Sequence, residues 1–221
     1  MTASADVVFL LDVDNTLLDN GVVIADFRRH LAETMGKGAE DRYWQIFEDL
    51  FRKPGFADYF GALNHFGAGQ PRDPRIFATA LFLLQYPFAD RVYPRVWDLL
   101  ARLRERGSVA IVSDGDVVFQ PHKVKRSGLW DAVDGNVLIY VHKEEMLADI
   151  EQRYPAKRYV MVEDKIRILA AMKAIWKDRL TTVFVRQGHY ALDASLVAAS
   201  PPADITIEAI GDLLDRLDVI G

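Results

Sequence analysis

Asp12, Asp14 and Thr16 stand at alternate positions just past an apolar run, residues 7–11. In an extended chain alternate residues face the same side, so the two carboxylates can address one point. Two like charges that close are hard to keep ionised together. A cation between them, or a proton on one of them, relieves the conflict, and both conditions serve catalysis. One carboxylate can attack as a nucleophile while the other moves a proton. An Asx turn closing a strand would use the same residue types without chemistry. The apolar lead-in, the hydroxyl at Thr16 and the polar partners farther along the chain favour the chemical reading.

The elements that would position these groups follow from the hydrophobic pattern. A short, uninterrupted apolar run such as 7–11 fits a strand buried on both faces of a parallel sheet. Similar runs recur at 109–112, 137–141, 159–162 and 182–185, with a shorter one at 205–207. Helical patterns separate them. Residues 94–106 carry one stripe of Val96, Leu99, Leu100 and Leu103, with Gly107 as C-terminal cap. Further helices are predicted at 117–127 closed by Gly128, at 144–153, at 166–177 with Ile168, Leu169, Met172 and Ile175 on one side, and through 213–217. Alternating strands and helices predict an α/β core, a Rossmann-like parallel sheet with helices on both faces.

Residues 24–87 have a different texture. Apolar residues recur at helical spacing, as at Phe27 and Leu31 and again at Tyr43, Ile46, Phe47, Leu50 and Phe51. Gly36-Lys37-Gly38, Lys53-Pro54-Gly55 and Gly67-Ala68-Gly69-Gln70-Pro71 break the pattern, and Asp73-Pro74 resembles a helix start. Asn20-Gly21 reads as a turn before it. The predicted organisation is therefore a core of residues 1–20 and 90–221 with a small all-helical domain, 21–89, inserted into it.

Polar residues end the predicted strands: Asp12 and Asp14, then Ser113-Asp114-Gly115, then Lys143, then Glu163-Asp164. In a parallel sheet those ends share one edge and can converge. The set suits phosphoryl transfer: a carboxylate to attack, hydroxyls and backbone amides to hold phosphate oxygens, a lysine to offset charge and further acids to hold a divalent cation. So many carboxylates in one pocket require cations, and Lys143 with one Mg²⁺ meets that need.

Asp12-Val13-Asp14-Asn15-Thr16 after an apolar strand resembles the first motif of the haloacid dehalogenase superfamily, in its phosphatase type. The resemblance implies that Asp12 forms an aspartyl-phosphate and that Asp14 protonates the leaving group and then activates water. It implies that Thr16 steadies the loop and that Ser113, with Asp114 and Gly115, binds phosphate. Lys143 matches the third motif and Glu163-Asp164 the fourth. Mg²⁺ would be held by the Asp12 side chain, the Asp14 carbonyl and Asp164, with Glu163 assisting. The insert resembles a helical cap that selects the substrate, a small phosphorylated metabolite. There are departures: Lys143 is followed by Glu144 where relatives often have Pro, and Glu163 stands where many have Gly. A phosphosugar mutase, a 2-haloacid dehalogenase and a non-catalytic binding protein on this fold are the alternative readings. Asp14 counts against a dehalogenase, which needs no proton-shuttling acid.

Other residues carry less specific signals. Lys123 and Lys125 read as an exposed basic face with Arg126. Asp116 reads as a helix cap, and Arg186-Gln187-Gly188-His189-Tyr190 as a turn with surface side chains. Arg28, Arg42, Tyr43, Lys53, Arg72 and Arg75 of the insert could meet an anionic substrate, although solvated helix faces account for most of them. The aromatic cluster of Tyr43, Trp44, Phe47, Phe51, Phe56, Tyr59 and Phe60 reads as the insert's own core.

Composition bounds the rest. Hydrophobic residues are 50% and charged residues 27% of 221, an ordinary globular balance. A net charge of −5 gives no basic surface for nucleic acid or an anionic membrane. The chain has no cysteine, which excludes disulfides, thiolate catalysis and sulfur-ligated metals. With no basic segment leading into an apolar core near the N-terminus, and no run long enough to span a bilayer, the expectation is a cytoplasmic monomer or homodimer.

Overall fold

The computed structural model describes residues 5–52, 57–68 and 73–220. Six strands, β1 (Ala5–Leu11), β2 (Ser108–Asp114), β3 (Val137–Tyr140), β4 (Ala156–Glu163), β5 (Leu180–Val185) and β6 (Ile205–Ile207), form one sheet in the order β3-β2-β1-β4-β5-β6. Every pairing is parallel. The expected α/β architecture is therefore present, and its topology puts β1 in the middle, between β2 and β4. The chain reverses its direction of sheet growth at β1, and ligands bind outside the carboxyl ends at such a point.

The helices are α1 (Asn20–Met35), α2 (Lys37–Phe51), α3 (Tyr59–Gly67), α4 (Pro74–Gln85), α5 (Val96–Arg104), α6 (Phe119–Arg126), α7 (Leu129–Ala132), α8 (Leu147–Arg153), α9 (Ile166–Trp176), α10 (Gly188–Leu192) and α11 (Ala194–Ala198). The period-2 alternation of β1 distributes its side chains to two cores. Phe9 and Leu11 pack on the face covered by α5 and by the helices between β1 and β2. Val8 and Leu10 pack on the other face, against α8 and α9. The stripe of Val96, Leu99, Leu100 and Leu103 is fully buried, as its spacing requires. No described helix is long and apolar enough to cross a membrane.

The described part of 21–89 contains α1–α4 and the beginning of a short 3-10 turn, Phe88–Arg91, and no strand. Gly36, with φ of 92°, separates α1 from α2. Asp73 accepts a hydrogen bond from Arg75 N at 3.0 Å, with Pro74 in the first turn, so the expected cap is present. The helices meet around an aromatic centre: Phe27 lies edge-on to Tyr43 at 5.2 Å, and the Tyr43 hydroxyl donates to the Tyr59 carbonyl at 2.9 Å. The predicted breaks at Lys53-Pro54-Gly55 and Gly69-Gln70-Pro71, and the residues Lys53, Phe56 and Arg72, lie outside the described residues.

Several local expectations are corrected. Asn20-Gly21 opens α1 instead of forming a hairpin turn, because the Asp19 carboxylate accepts from Val22 N at 3.0 Å and caps the helix. The helix predicted at 144–153 is split into a 3-10 turn, Lys143–Glu145, and α8. Ile175 is exposed, and Trp176 turns inward instead, stacking on Tyr159 at 4.3 Å. The last segment, Ile210–Val219, is a 3-10 helix.

Gly107 marks where α5 hands over to β2. A Cβ there would lie 2.5 Å from the Val7 carbonyl oxygen and 2.7 Å from Val7 Cγ1. Gly107→Ala is expected to destabilise the protein by about 1–3 kcal/mol, as overpacking does, read as a lowered midpoint in urea unfolding with an unchanged slope.

Candidate active site

The chain leaves β1 at Leu11 and folds into a compact loop. The Val13 carbonyl accepts from the amides of Thr16, Leu17 and Leu18, and Asn15 N–H donates to the Leu18 carbonyl at 2.7 Å. Asn15 takes the left-handed conformation this requires, with φ of 59°; asparagine tolerates it better than most residues. Asp12 is thereby fixed at the carboxyl end of β1, with its N–H donating to the Val162 carbonyl of β4 at 3.0 Å.

Asp12 is 4% exposed. Its Oδ1 accepts from Lys143 Nζ at 2.5 Å and from Ser113 Oγ at 3.3 Å, and its Oδ2 accepts from Thr16 Oγ1 at 3.3 Å. Lys143 is buried and also donates to the Val112 carbonyl at 3.1 Å. Its ammonium lies 2.5 Å from Glu163 Oε2, an ion pair rather than a directed hydrogen bond. Glu163 Oε1 accepts from the Lys165 amide at 3.0 Å. The groups predicted at the ends of β1, β2 and β4, together with Lys143 just past β3, therefore do meet.

Burial, then repulsion from Glu163, raises the Asp12 carboxyl to about 6. Burial also raises Asp164 well above the usual carboxylate range, and Glu163 adds to the effect. Burial would raise Glu163 too, but Lys143 and Lys165 outweigh it and hold this acid low. Lys143 loses basicity to burial and regains more from Asp12, Glu163 and Asp114, so it is held as the ammonium.

Oxygens of Asp12, Glu163 and Asp164 lie within 4.8 Å of one another. Both Asp164 oxygens are buried and accept from no donor. Unpaired buried carboxylate oxygens are costly unless a proton or cation satisfies them. A hard, oxygen-seeking cation fits this set, with Asp164 the freest ligand. Glu163 is engaged on both oxygens, so its principal partner is Lys143.

Asp14 lies apart from this cluster, turned towards α6. Lys123 Nζ donates to both its oxygens, at 2.7 and 2.8 Å, and to Asn20 Oδ1 at 3.2 Å. Gln120 Nε2 reaches Asp14 at 3.4 Å and Ser113 Oγ at 3.0 Å. Lys123 is 1% exposed, so the expectation of an exposed basic face fails for it and holds for Lys125. The overlooked signal was positional: Gln120 and Lys123 share the buried helix face of Phe119 and Val124. Asp116 is not the N-cap of α6, which is Val118; its carboxylate turns the chain just before the helix, accepting from Val118 N at 2.9 Å and Phe119 N at 2.7 Å.

Asp114 Oδ1 accepts from Lys143 N at 2.9 Å and so braces the β3 end. The Gly115 amide donates to the Tyr140 carbonyl at 2.9 Å. It is therefore engaged by β3 and is not a free phosphate donor, contrary to the expectation for this residue. Gly115 serves instead to let Gln120 approach, since a Cβ would lie 2.7 Å from Gln120 Cβ.

A cavity of about 400 Å³ opens beside Asp14 and Asp114. Trp44, Phe47, Phe51 and Tyr59 line it, so these aromatics face the site as well as their own helices. Arg28 also lines it, stacked over Trp44 at 4.2 Å and paired with the buried Glu40 at 2.6 Å. Arg42 stacks over Phe66, and Arg75 forks onto Asp73. His189 and Tyr190 of α10 complete the wall, so the segment 186–190 is no plain surface turn. Gly188, with φ of 72°, brings α10 to Asn15, where a Cβ would lie 2.5 Å from Asn15 Cβ. Lys165 lines the cavity as well. It passed unnoticed in the sequence although it follows Asp164 directly at a strand end.

The profile of the haloacid dehalogenase-like hydrolases matches residues 7–175. The chain belongs to the haloacid dehalogenase-like hydrolase family. A family member from Burkholderia xenovorans LB400 is 56% identical, with a TM-score of 0.90 over 95% of each chain. L-2-haloacid dehalogenase from Xanthobacter autotrophicus shares the fold at 17% identity, with a TM-score of 0.64 over 97% of this chain and 99% of its own. A HAD hydrolase of Bacillus subtilis, solved bound to magnesium, is 16% identical with a TM-score of 0.63, over 98% of this chain and 100% of its own. No curated protein matches the chain in sequence. The chain is thus a hydrolase of this family, and the acid-rich edge around Asp12 is its candidate centre.

A divalent cation taken up by these acids would compete with protons on Asp12 and on Asp164. The Asp12 carboxyl, raised to about 6 by burial and Glu163, is ionised above that pH and protonated below it. Mg²⁺ affinity is therefore expected to decline as the pH drops. Asp12 alone should lower it by up to about tenfold per unit below pH 6; calorimetric titration between pH 5 and 8 checks it.

Proposed function

We propose that the protein is a Mg²⁺-dependent phosphohydrolase of a small phosphomonoester, acting through an aspartyl-phosphate on Asp12. The observation that carries the reading is the pairing of two differently used carboxylates at the end of β1. Asp12 is clamped by Lys143, Ser113 and Thr16 beside the donor-free Asp164, while Asp14 faces the cavity on its own lysine. A hydrolase that displaced halide would need the first carboxylate and would have no use for a proton carrier two residues on.

The residues divide the work as follows. An Asp12 oxygen attacks phosphorus, the bond from phosphorus to the alcohol oxygen breaks, and Asp14 supplies the proton that oxygen needs. Asp14, now a carboxylate, takes a proton from water as the water oxygen attacks the same phosphorus. The acyl–phosphate bond breaks, phosphate leaves and Asp12 is restored. Ser113 and Thr16 orient the nucleophile, and Lys143 aligns Asp12 while offsetting Glu163. Asp12 and Asp164, with the Asp14 carbonyl and with Glu163 in support, would hold Mg²⁺, which neutralises phosphoryl charge when bound. Helices α1–α4 serve as the cap, residues 21–89, which closes the cavity and selects the alcohol part.

Phosphate release from an aryl phosphate, measured with and without Mg²⁺, tests the reading. Turnover should require Mg²⁺ and vanish in Asp12→Asn. Asp14→Asn should lose roughly 10²–10⁴-fold, the usual contribution of general acid–base catalysis. Chloride release from 2-chloropropionate, with no phosphate release and no need for Mg²⁺, would replace this reading with a dehalogenase.

A further inference from the structure

Three lysines approach the acid-rich edge, and their ammonium groups are not equivalent. Each carries three N–H donors and no acceptor. Lys143 is surrounded by Asp12, Glu163 and the Val112 carbonyl. Lys123 is taken by both oxygens of Asp14 and by Asn20. Neither has a donor to spare for a substrate. Lys165 differs: among the described residues its ammonium makes no hydrogen bond or ion pair, and its contact is with the face of Tyr190, 5.2 Å from the ring centre. The Lys165 side chain lines the cavity together with Asp14, Asn15 and Asp114.

Lys165 directly follows the paired acids Glu163 and Asp164 at the end of β4. A cation with open donors, lining a cavity beside Asp14 and Asp114, is poised for an anionic ligand. The Gly115 amide is not open to a phosphate oxygen, since its N–H donates to the Tyr140 carbonyl.

We infer that Lys165 is the substrate clamp of this site, donating to a non-bridging oxygen of the phosphoryl group, while Lys143 is confined to ordering Asp12 and Glu163. The inference rests on the phosphohydrolase reading. It adds a phosphate-holding lysine to the one that the sequence assigned to offsetting charge. The ring face of Tyr190 lies against the Lys165 ammonium, whose nitrogen is 5.2 Å from the ring centre.

The test is binding of inorganic phosphate to the Mg²⁺-loaded protein by calorimetry, for wild type, Lys165→Met and Lys165→Arg, with aryl phosphate turnover measured separately. Lys165→Met is expected to weaken phosphate binding roughly tenfold to a hundredfold, the range for losing a hydrogen bond to a charged group, and to raise KM more than it lowers kcat. Lys165→Arg should recover most of the binding. Mg²⁺ affinity in Lys165→Met should be no weaker than in wild type, because a positive charge beside the acids has gone. Unchanged phosphate affinity in Lys165→Met, with wild-type turnover intact, overturns the clamp and leaves the phosphohydrolase standing. Weakened phosphate and Mg²⁺ binding together overturn it as well, since the loss would then run through the acids. A wild type that binds phosphate through Lys165 yet releases none from the aryl ester keeps Lys165 as a phosphate-binding group and removes both the phosphohydrolase and its substrate clamp. A wild type that does neither removes both.

Discussion

The interaction on which the rest depends is the buried ammonium of Lys143 between Asp12 and Glu163. Asp12, Asp14, Asp114, Glu163 and Asp164 converge on one sheet edge, and little water reaches most of them. Carboxylates so placed cannot all remain charged without cations among them. Lys143 resolves the conflict at the centre, Lys123 resolves it at Asp14, and Asp164 is left with two oxygens and no donor. That residual demand is what fits a divalent cation. The charge pattern of the site is therefore an incomplete balance.

The sheet makes this convergence possible. With β1 central and β2 and β4 on either side, the ends carrying Asp12, Ser113 and Glu163 are neighbours in register. Lys143 arrives from beyond β3, two strands from β1, and its long side chain spans the distance past Val112 to Asp12. The Asp114 carboxylate holds the Lys143 backbone, so the reach starts from a fixed point. Backbone topology supplies neighbourhood, and side-chain length supplies contact.

The helices between β1 and β2 contribute a different property. Their aromatic centre packs α1–α4 together, yet Trp44, Phe47, Phe51 and Tyr59 also present surface to the cavity. One set of rings therefore both holds the helices and shapes the space above Asp14. A change in that core would be felt in the shape of the site. Asn20, at the first turn of α1, ties this layer to Lys123 and so to Asp14.

Much of the fold was legible in the order of residues. Short uninterrupted apolar runs announced the strands, and the acids at 12, 14, 163 and 164, with Ser113 and Lys143, announced the edge. Those signals are local: burial of a strand shows in its own composition, and a polar residue at its end shows where burial stops. The roles of Lys123, Lys165, Gly115 and Tyr190 were not legible, because each depends on which partner another element brings. Lys123 carries the same helical pattern whether α6 turns it to solvent or to Asp14. Gly115 would be a free amide but for the Tyr140 carbonyl across the sheet edge. Sequence alone determined which chemical groups this protein places at its strand ends. Only the tertiary structure decided which of those groups are saturated and which are open, because hydrogen bonds and ion pairs are assigned by distance between elements far apart in the chain.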